Sequence, residues 1–373
     1  MQISWRIAAI GAGCAAIVPL LSAQTSPATS TEAFIVSDLS YAFYRGDEKT
    51  DCPDGRSFSL RDAYLQTRAP AERERLLKPE NAAALDSAYK NDYVFGPGGK
   101  DICTDAELFA TPEHPLQKPF RGPVAPGMDL DGATPGHATP GTCRHDSFTS
   151  PTGERGVDNQ MYRATGCNTM WRGIGEKGRG ELSGPMSVGK HPVAIVVAGV
   201  DDWQDDPHVE VLVAAVADRP PLDAKQVPMA GSSVTLSANP RYRMRVTGSI
   251  RNGVLTTDPG DFILPYNWVG ASGGEYIARH VRLRLTRNKD GELSGALGGY
   301  RPIDNVIAMF RVGGPGVAST AGVDCSSLRQ SLGLFADGDP DQAGKCTSVS
   351  TALNIAARPA FVYDGGKLLN GRP

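Results

Sequence analysis

The chain has 373 residues, with 38 lysines and arginines against 41 aspartates and glutamates, so its net charge of −3 is close to zero. A balanced charge without a basic tract gives no support for a nucleic-acid partner. The 43 glycines and 28 prolines indicate many turns and argue against a helical bundle. This length allows two domains, or one large β domain with appendages.

Residues 1–23 have the pattern of a secretory signal peptide. Arg6 precedes an apolar run over 7–21, and small residues follow the run, as signal cleavage requires. The run is shorter than the ~20 apolar residues that span a bilayer, and no later run reaches that length. We therefore predict a secreted or periplasmic protein without a transmembrane segment. The mature chain would begin near Gln24, with a flexible leader over 24–32.

Residues 33–120 are predicted to form a small helical segment clipped by a disulfide, because they carry little strand signal. Helical patterns cover 56–66, 70–77 and 79–89. The second and third patterns begin with Pro70 and Pro79, which suit the first turn of a helix because its N–H groups have no partner there.

Residues 121–318 are predicted to form a mainly β domain, either a sandwich or a jelly-roll-like fold. The apolar run Val193–Val197 and the segment 209–216 are typical of a hairpin buried on both faces. Short alternating strands with turn signals follow. Two of these strands, 241–246 and 279–284, place arginines on one face. The arginines would either bind anionic glycans or phosphate or, as we favour, form the solvated outside of a sheet.

Residues 319–373 are predicted to form a C-terminal helical hairpin and tail, with helices over 325–335 and 346–357. Between these helices lie three aspartates at the spacing of a Ca²⁺ loop: Asp337, Asp339 and Asp341. The glycine and glutamate expected later in an EF-hand are replaced by Gln342 and Ser348. The favoured interpretation is an acidic cap of the second helix.

Six cysteines follow the predicted signal peptide: Cys52, Cys103, Cys143, Cys167, Cys325 and Cys346. An even number in an oxidising compartment predicts three disulfides. Because the cysteines fall into three regions with two in each, the economical pairing is Cys52–Cys103, Cys143–Cys167 and Cys325–Cys346. Cysteine-bound metal is not supported, since no C-x2-C or Cys/His spacing occurs.

The stretch 129–159 is the strongest candidate for a metal site, because it combines carboxylates with glycine- and proline-rich turns. Its candidate ligands are Asp129, Asp131, Asp146, Asp158 and Asn159. Ca²⁺ prefers such oxygen ligands, and clustered carboxylates repel one another unless a cation neutralises them. The alternative is that these residues only build turns. No zinc site is predicted, since the histidines show no H-E-x-x-H or H-x-H pattern.

The loop Asp201–Asp206 is a candidate glycan contact, because Trp203 stands between carboxylates and would stack on a sugar ring. The favoured alternative is that Trp203 packs against the sheet edge. We predict a binding or structural protein, stabilised by Ca²⁺, with an unidentified small-molecule or glycan ligand. The rival hypothesis is a carbohydrate-active hydrolase with paired carboxylates, one of them Asp202 or Asp205.

Four short stretches carry a resemblance that extends over most of the mature chain. They are CPDG at 52–55, MDLDG at 128–132, GVDNQ at 156–160 and GGY at 298–300. With these loops the chain resembles uncharacterised secreted β-rich bacterial proteins. The resemblance implies a β-rich fold and export, and no activity.

Overall fold

A computed structural model describes residues 1, 29–106, 116–132, 138–168, 172, 192–311 and 323–371, apart from 58, 96–97, 99 and 269–270. Apart from Met1, the predicted signal peptide lies outside the described residues. Within the described part of the chain, no helix is long and apolar enough to cross a membrane.

The strands are β1 (Ser30–Tyr41), β2 (Phe148–Thr149), β3 (Arg155–Val157), β4 (Val193–Val200), β5 (Asp205–Ala215), β6 (Ser233–Thr235), β7 (Arg243–Arg251), β8 (Val254–Thr257), β9 (Gly260–Trp268), β10 (Ala271–Arg287), β11 (Leu293–Pro302), β12 (Gly338–Pro340), β13 (Cys346–Pro359), β14 (Phe361–Asp364) and β15 (Lys367–Leu368). The α-helices are α1 (Glu48–Asp51), α2 (Leu60–Gln66), α3 (Pro70–Leu76), α4 (Ala82–Tyr89), α5 (Gln160–Thr165), α6 (303–311) and α7 (Cys325–Leu334). Single 3₁₀ turns cover Pro79–Asn81 and Pro240–Tyr242, and a π-helical turn covers Lys90–Val94.

Eight antiparallel strands close into a barrel in the order β1-β4-β5-β7-β8-β10-β11-β13, with β13 pairing back to β1. The prediction of a mainly β fold is confirmed. The sheet closes into a barrel, however, and does not form the predicted sandwich or jelly roll. The reason is β1, which begins in the predicted flexible leader and continues into the segment predicted to be helical. It pairs with β4 on one side and β13 on the other, and so joins two edges that a sandwich would leave open.

The barrel interior is filled by apolar side chains that alternate inward along each strand. Phe34, Ile195, Val213, Leu283 and Leu353 are typical members of this core, and all five are buried. An eight-stranded barrel is just wide enough for its inward side chains to meet. The barrel therefore serves as a well-filled scaffold, and the predicted acidic stretch lies on its outer surface.

A helical layer packs beside the barrel around a second core, which includes Tyr64, Leu85, Ile307 and Leu328. Helices α2, α3, α4 and α7 lie within the predicted helical patterns 56–66, 70–77, 79–89 and 325–335. Two of these helices have side-chain caps, since Ser59 accepts from the Asp62 N–H at α2 and Asp324 accepts from the Ser327 N–H at α7.

The helix predicted over 346–357, and with it the C-terminal helical hairpin, is wrong, because this segment is the barrel strand β13. Beyond it, β14 and β15 join β6 in a small sheet. This sheet covers the outer apolar face of β1, β4 and β5, which includes Ile35, Val196 and Leu212.

The three disulfides are Cys52–Cys167, Cys103–Cys325 and Cys143–Cys346. The prediction that six cysteines form three bridges is confirmed, but all three predicted pairings are wrong. The bridged cysteines are 115, 222 and 203 residues apart in the chain. Each bridge joins segments that only the tertiary fold brings together, so proximity in sequence did not predict which cysteines pair.

Candidate functional site

The predicted acidic stretch lies on the outer face of the barrel, against β11 and β13. Met128 and Leu130 pack on Tyr300, which projects outward from β11. The backbone N–H of Asp158 donates to the carbonyl of Met128 over 3.0 Å, and the Leu130 N–H donates to Asp158 Oδ2 over 2.8 Å. The two halves of the stretch are thereby held side by side.

A second segment, 142–145, also contacts the acidic stretch. The Cys143 N–H donates to the carbonyl of Asp337 over 2.8 Å, and the Cys143–Cys346 disulfide ties the segment to the start of β13. These contacts place His145 beside Asp158. They also bring Asp337, which lies just before β12, to the same place.

The centre of the site is a buried pair formed by His145 and Asp158. His145 Nε2 lies 2.7 Å from Asp158 Oδ1, and the side chains are 7% and 1% exposed. His145 Nδ1 lies 3.0 Å from the carbonyl oxygen of Cys143. Because a carbonyl oxygen only accepts hydrogen bonds, Nδ1 carries a proton, and Nε2 is left to hold either a second proton or another cation.

The protonated imidazole is favoured in this arrangement. Burial lowers the pKa of His145, but the hydrogen bonds to Asp158 and to the Cys143 carbonyl, together with the charges of Asp337 and Asp158, raise it to about 9. With both ring nitrogens engaged, His145 has no free nitrogen with which to act as a general base.

Asp131 completes a group with metal-ligating atoms. One carboxylate oxygen each of Asp131 and Asp158 and one ring nitrogen of His145 all lie within 4.8 Å of one another. Asp129 lies next to them, and its Oδ1 accepts from the Gly132 N–H over 2.6 Å. Burial raises the pKa of Asp129, the bond from Gly132 lowers it, and the charges of Asp158, Asp131 and Glu154 raise it again.

Two buried polar groups face this cluster without a hydrogen-bond partner among the residues that the structure describes. They are Asp337 Oδ2 and the Tyr300 hydroxyl, on residues that are 0% and 5% exposed. Burial raises the pKa of Asp337, and hydrogen bonds from Ser350 and the charge of His145 lower it, with a net rise to about 7. Burial also raises the pKa of Tyr300, as do the charges of Asp337, Asp158, Asp131 and Asp129.

The other two predicted ligands lie apart from this centre. Asp146 is exposed, and its backbone carbonyl accepts from the Gln160 side chain. The Asn159 side chain caps α5 and donates to the carbonyls of Ala42 and Pro126, so its role is structural. The sequence therefore located three of the carboxylates, assigned Asp337 to a separate segment with Ca²⁺-loop spacing, and missed His145 and Tyr300.

The three aspartates with Ca²⁺-loop spacing do not form such a loop. Asp337 points into the cluster, whereas Asp341 accepts from the N–H groups of Ala343 and Lys345 in a turn. The favoured interpretation as a helix cap is also wrong, because a strand follows. Asp339 pairs with Arg279 and His280 on the exposed side of Tyr300. His280 and Asp339 both adopt left-handed backbone angles, with φ of 51° and 52°.

Trp203 has the packing role that we favoured. Its ring meets Phe34 edge-on, its Nε1 donates to Glu32 over 2.7 Å, and Arg287 lies over its face. Asp205 pairs with Arg251 on the surface.

Much of the predicted arginine face is neutralised by ion pairs. The pairs are Arg241–Glu275, Arg243–Asp364, Arg279–Asp339 and Arg284–Glu154. These positions therefore offer little unpaired positive charge with which to bind an anion.

Comparisons with known proteins give no family for the chain: no family model matches it, and no match is found among curated proteins or solved structures. Arguments about function must therefore start from the site itself. Several carboxyl groups, one oriented imidazole and one buried phenol form a cluster that suits a cation better than an anion or an apolar ligand.

Proposed function

We propose that this chain is an exported protein that acts by binding, and that it holds a divalent cation at the cluster of Asp131, His145 and Asp158. The solid barrel provides a rigid support, and the cation organises the loops that cross its outer face. Three disulfides agree with a protein outside the cytoplasm.

One observation carries the proposal: Asp337 Oδ2 and the Tyr300 hydroxyl are buried beside the clustered carboxylates without a partner among the described residues. A buried polar group without a partner costs about 1–3 kcal/mol. A cation with its bound water would offset this cost, because it neutralises the carboxylates and supplies hydrogen-bond partners. Ca²⁺ remains one candidate, since Asp129, Asp131 and Asp158 offer oxygen ligands.

The first prediction concerns thermal unfolding with and without divalent cations. Ligand binding to the folded state at one hundred times Kd stabilises by ~2.7 kcal/mol, which should raise the melting temperature by a few degrees. A chelator should reverse the shift. We expect the double variant Asp129→Asn/Asp131→Asn to lose the shift, because it removes two carboxylates of the cluster.

The matched control is Asp341→Asn, since an asparagine oxygen can still accept from Ala343 and Lys345. This variant should respond to cations as the unmodified chain does. If neither Ca²⁺, Mn²⁺ nor Zn²⁺ moves the melting curve and calorimetry shows no binding heat, the cluster is only a turn-rich loop with a buried ion pair.

A further inference from the structure

The orientation of His145 distinguishes between classes of cation. A ligating histidine commonly donates its other ring N–H to a carbonyl or carboxylate, which fixes the tautomer and the direction of the free nitrogen. His145 is held in this way, with Nδ1 3.0 Å from the Cys143 carbonyl and Nε2 turned to the Asp158 carboxylate. The Cys143–Cys346 disulfide further restrains this segment.

The donor set is mixed rather than composed of oxygen alone. Asp131, His145 and Asp158 provide one nitrogen and two carboxylates, whose nearest ligand atoms lie within 4.8 Å of one another. Zn²⁺ binds such donors at ~2.0–2.2 Å, so His145 Nε2 and Asp158 Oδ1, which are 2.7 Å apart, must separate slightly to admit it. Ca²⁺ takes six to eight oxygens at longer distance, and imidazole is a ligand of first-row transition metals.

We propose that the cation of this site is a first-row transition-metal dication of the Zn²⁺ class, bound through His145 Nε2 together with Asp131 and Asp158. On binding, the metal replaces the proton on Nε2, and that proton is released to solvent. Asp337 and Tyr300, the buried groups that face the cluster, then orient a water on the metal. This inference rests on the proposed function, and it narrows the cation to one chemical class.

The test is calorimetry on the purified, disulfide-bonded chain with Zn²⁺ and Ca²⁺ in separate titrations. We expect one Zn²⁺ per chain, bound at least tenfold more tightly than Ca²⁺. His145→Gln and Asp131→Asn should each weaken Zn²⁺ binding at least tenfold. The matched control is His280→Asn, because His280 is exposed, is not among the three clustered ligands, and asparagine tolerates its left-handed backbone.

If the His145 variant does not fold, a measurement on the unmodified chain can still test the inference. X-ray absorption of the Zn²⁺-loaded chain should show one imidazole, oxygen neighbours and no sulfur. Zero or several imidazoles would overturn the assignment.

The outcomes separate the two proposals. If no cation binds, both fail. If Ca²⁺ binds more tightly than Zn²⁺, or if His145→Gln binds Zn²⁺ like the unmodified chain, only the metal class and the role of His145 fail. If Zn²⁺ binding disappears in His280→Asn instead, the metal lies at a surface histidine, and this site is refuted.

Discussion

At the scale of single residues, the Tyr300 hydroxyl offers a direct probe of the buried cluster. It is buried without a partner among the described residues, and nearby carboxylates surround it. In the presence of a chelator we expect Tyr300→Phe to raise the free energy of unfolding by ~1 kcal/mol, because the variant removes a desolvated group and keeps the ring. Denaturant unfolding measures the difference.

A second tyrosine serves as the control for this prediction. The buried Tyr162 hydroxyl donates to the Tyr44 carbonyl and accepts from Arg172. Tyr162→Phe should therefore lower the free energy of unfolding by about 1–3 kcal/mol. A comparable loss in Tyr300→Phe would mean that the Tyr300 hydroxyl does donate a hydrogen bond, and the main support for a cation would disappear.

The residues of the cluster show why only part of the site could be predicted from sequence. Asp129, Asp131 and Asp158 were predicted because carboxylates among glycines are visible in a single stretch. Tyr300 and Asp337 come from β11 and from the residue before β12, so no local spacing joins them to that stretch. His145 lay within the stretch, but its importance depends on Nδ1 being held by a backbone carbonyl, which is a tertiary contact.

At the scale of elements, the Cys143–Cys346 bridge joins the loop of the site to β13. Replacing both cysteines by serine should lower the free energy of unfolding by about 2–4 kcal/mol, because the unfolded chain gains freedom. It should also abolish the melting-temperature shift caused by the cation, since His145 lies only two residues from Cys143. Thermal unfolding with and without cation measures both effects.

The control for this prediction is the Cys103–Cys325 bridge, which lies in the core of the helical layer. Its double serine variant should lose a similar amount of stability but keep the shift caused by the cation. If both double variants keep the shift, the Cys143–Cys346 bridge does not position the site.

Elements with strong local signals were predicted well, and β13 shows where such signals fail. The hairpin of β4 and β5 follows from two apolar runs, and α3 begins at Pro70 as expected. β13 is rich in Ser, Thr and Ala, and its outward Ser348 and Ser350 are buried beneath the site. Because both faces of β13 are covered, the polar–apolar alternation that marks a strand is weak. Its small residues are also compatible with a helix, which is why a helix was predicted here.

At the scale of the whole molecule, the three bridges predict that the purified mature chain has no reactive thiol. All six cysteines after the predicted signal peptide are paired in the structure. Titration with a thiol reagent under denaturing, non-reducing conditions should therefore find less than one group per chain. Two or more reactive groups would contradict the disulfide framework, and peptide mapping would identify the open bridge.

A sandwich and a barrel could not be distinguished from the sequence, because the difference depends on one long-range strand pairing. The register of β1 against β13, such as Phe34 opposite Pro359, joins the two ends of the chain. Nothing in the local pattern of either strand specifies that partner. Closure results from the requirement that both edges of a large apolar sheet be paired.

The bridges also constrain the order in which the molecule can mature. The chain is synthesised from its N-terminus, so Cys103 becomes available to Cys52 well before Cys167 does. Joining cysteines as they appear would give pairs that occur in none of the native bridges, which interleave along the sequence. Cys346 lies at the start of β13, so the last bridge must await the strand that closes the barrel. Maturation of this protein therefore depends on reshuffling early disulfides, or on oxidation of each cysteine that is delayed until its native partner has been synthesised.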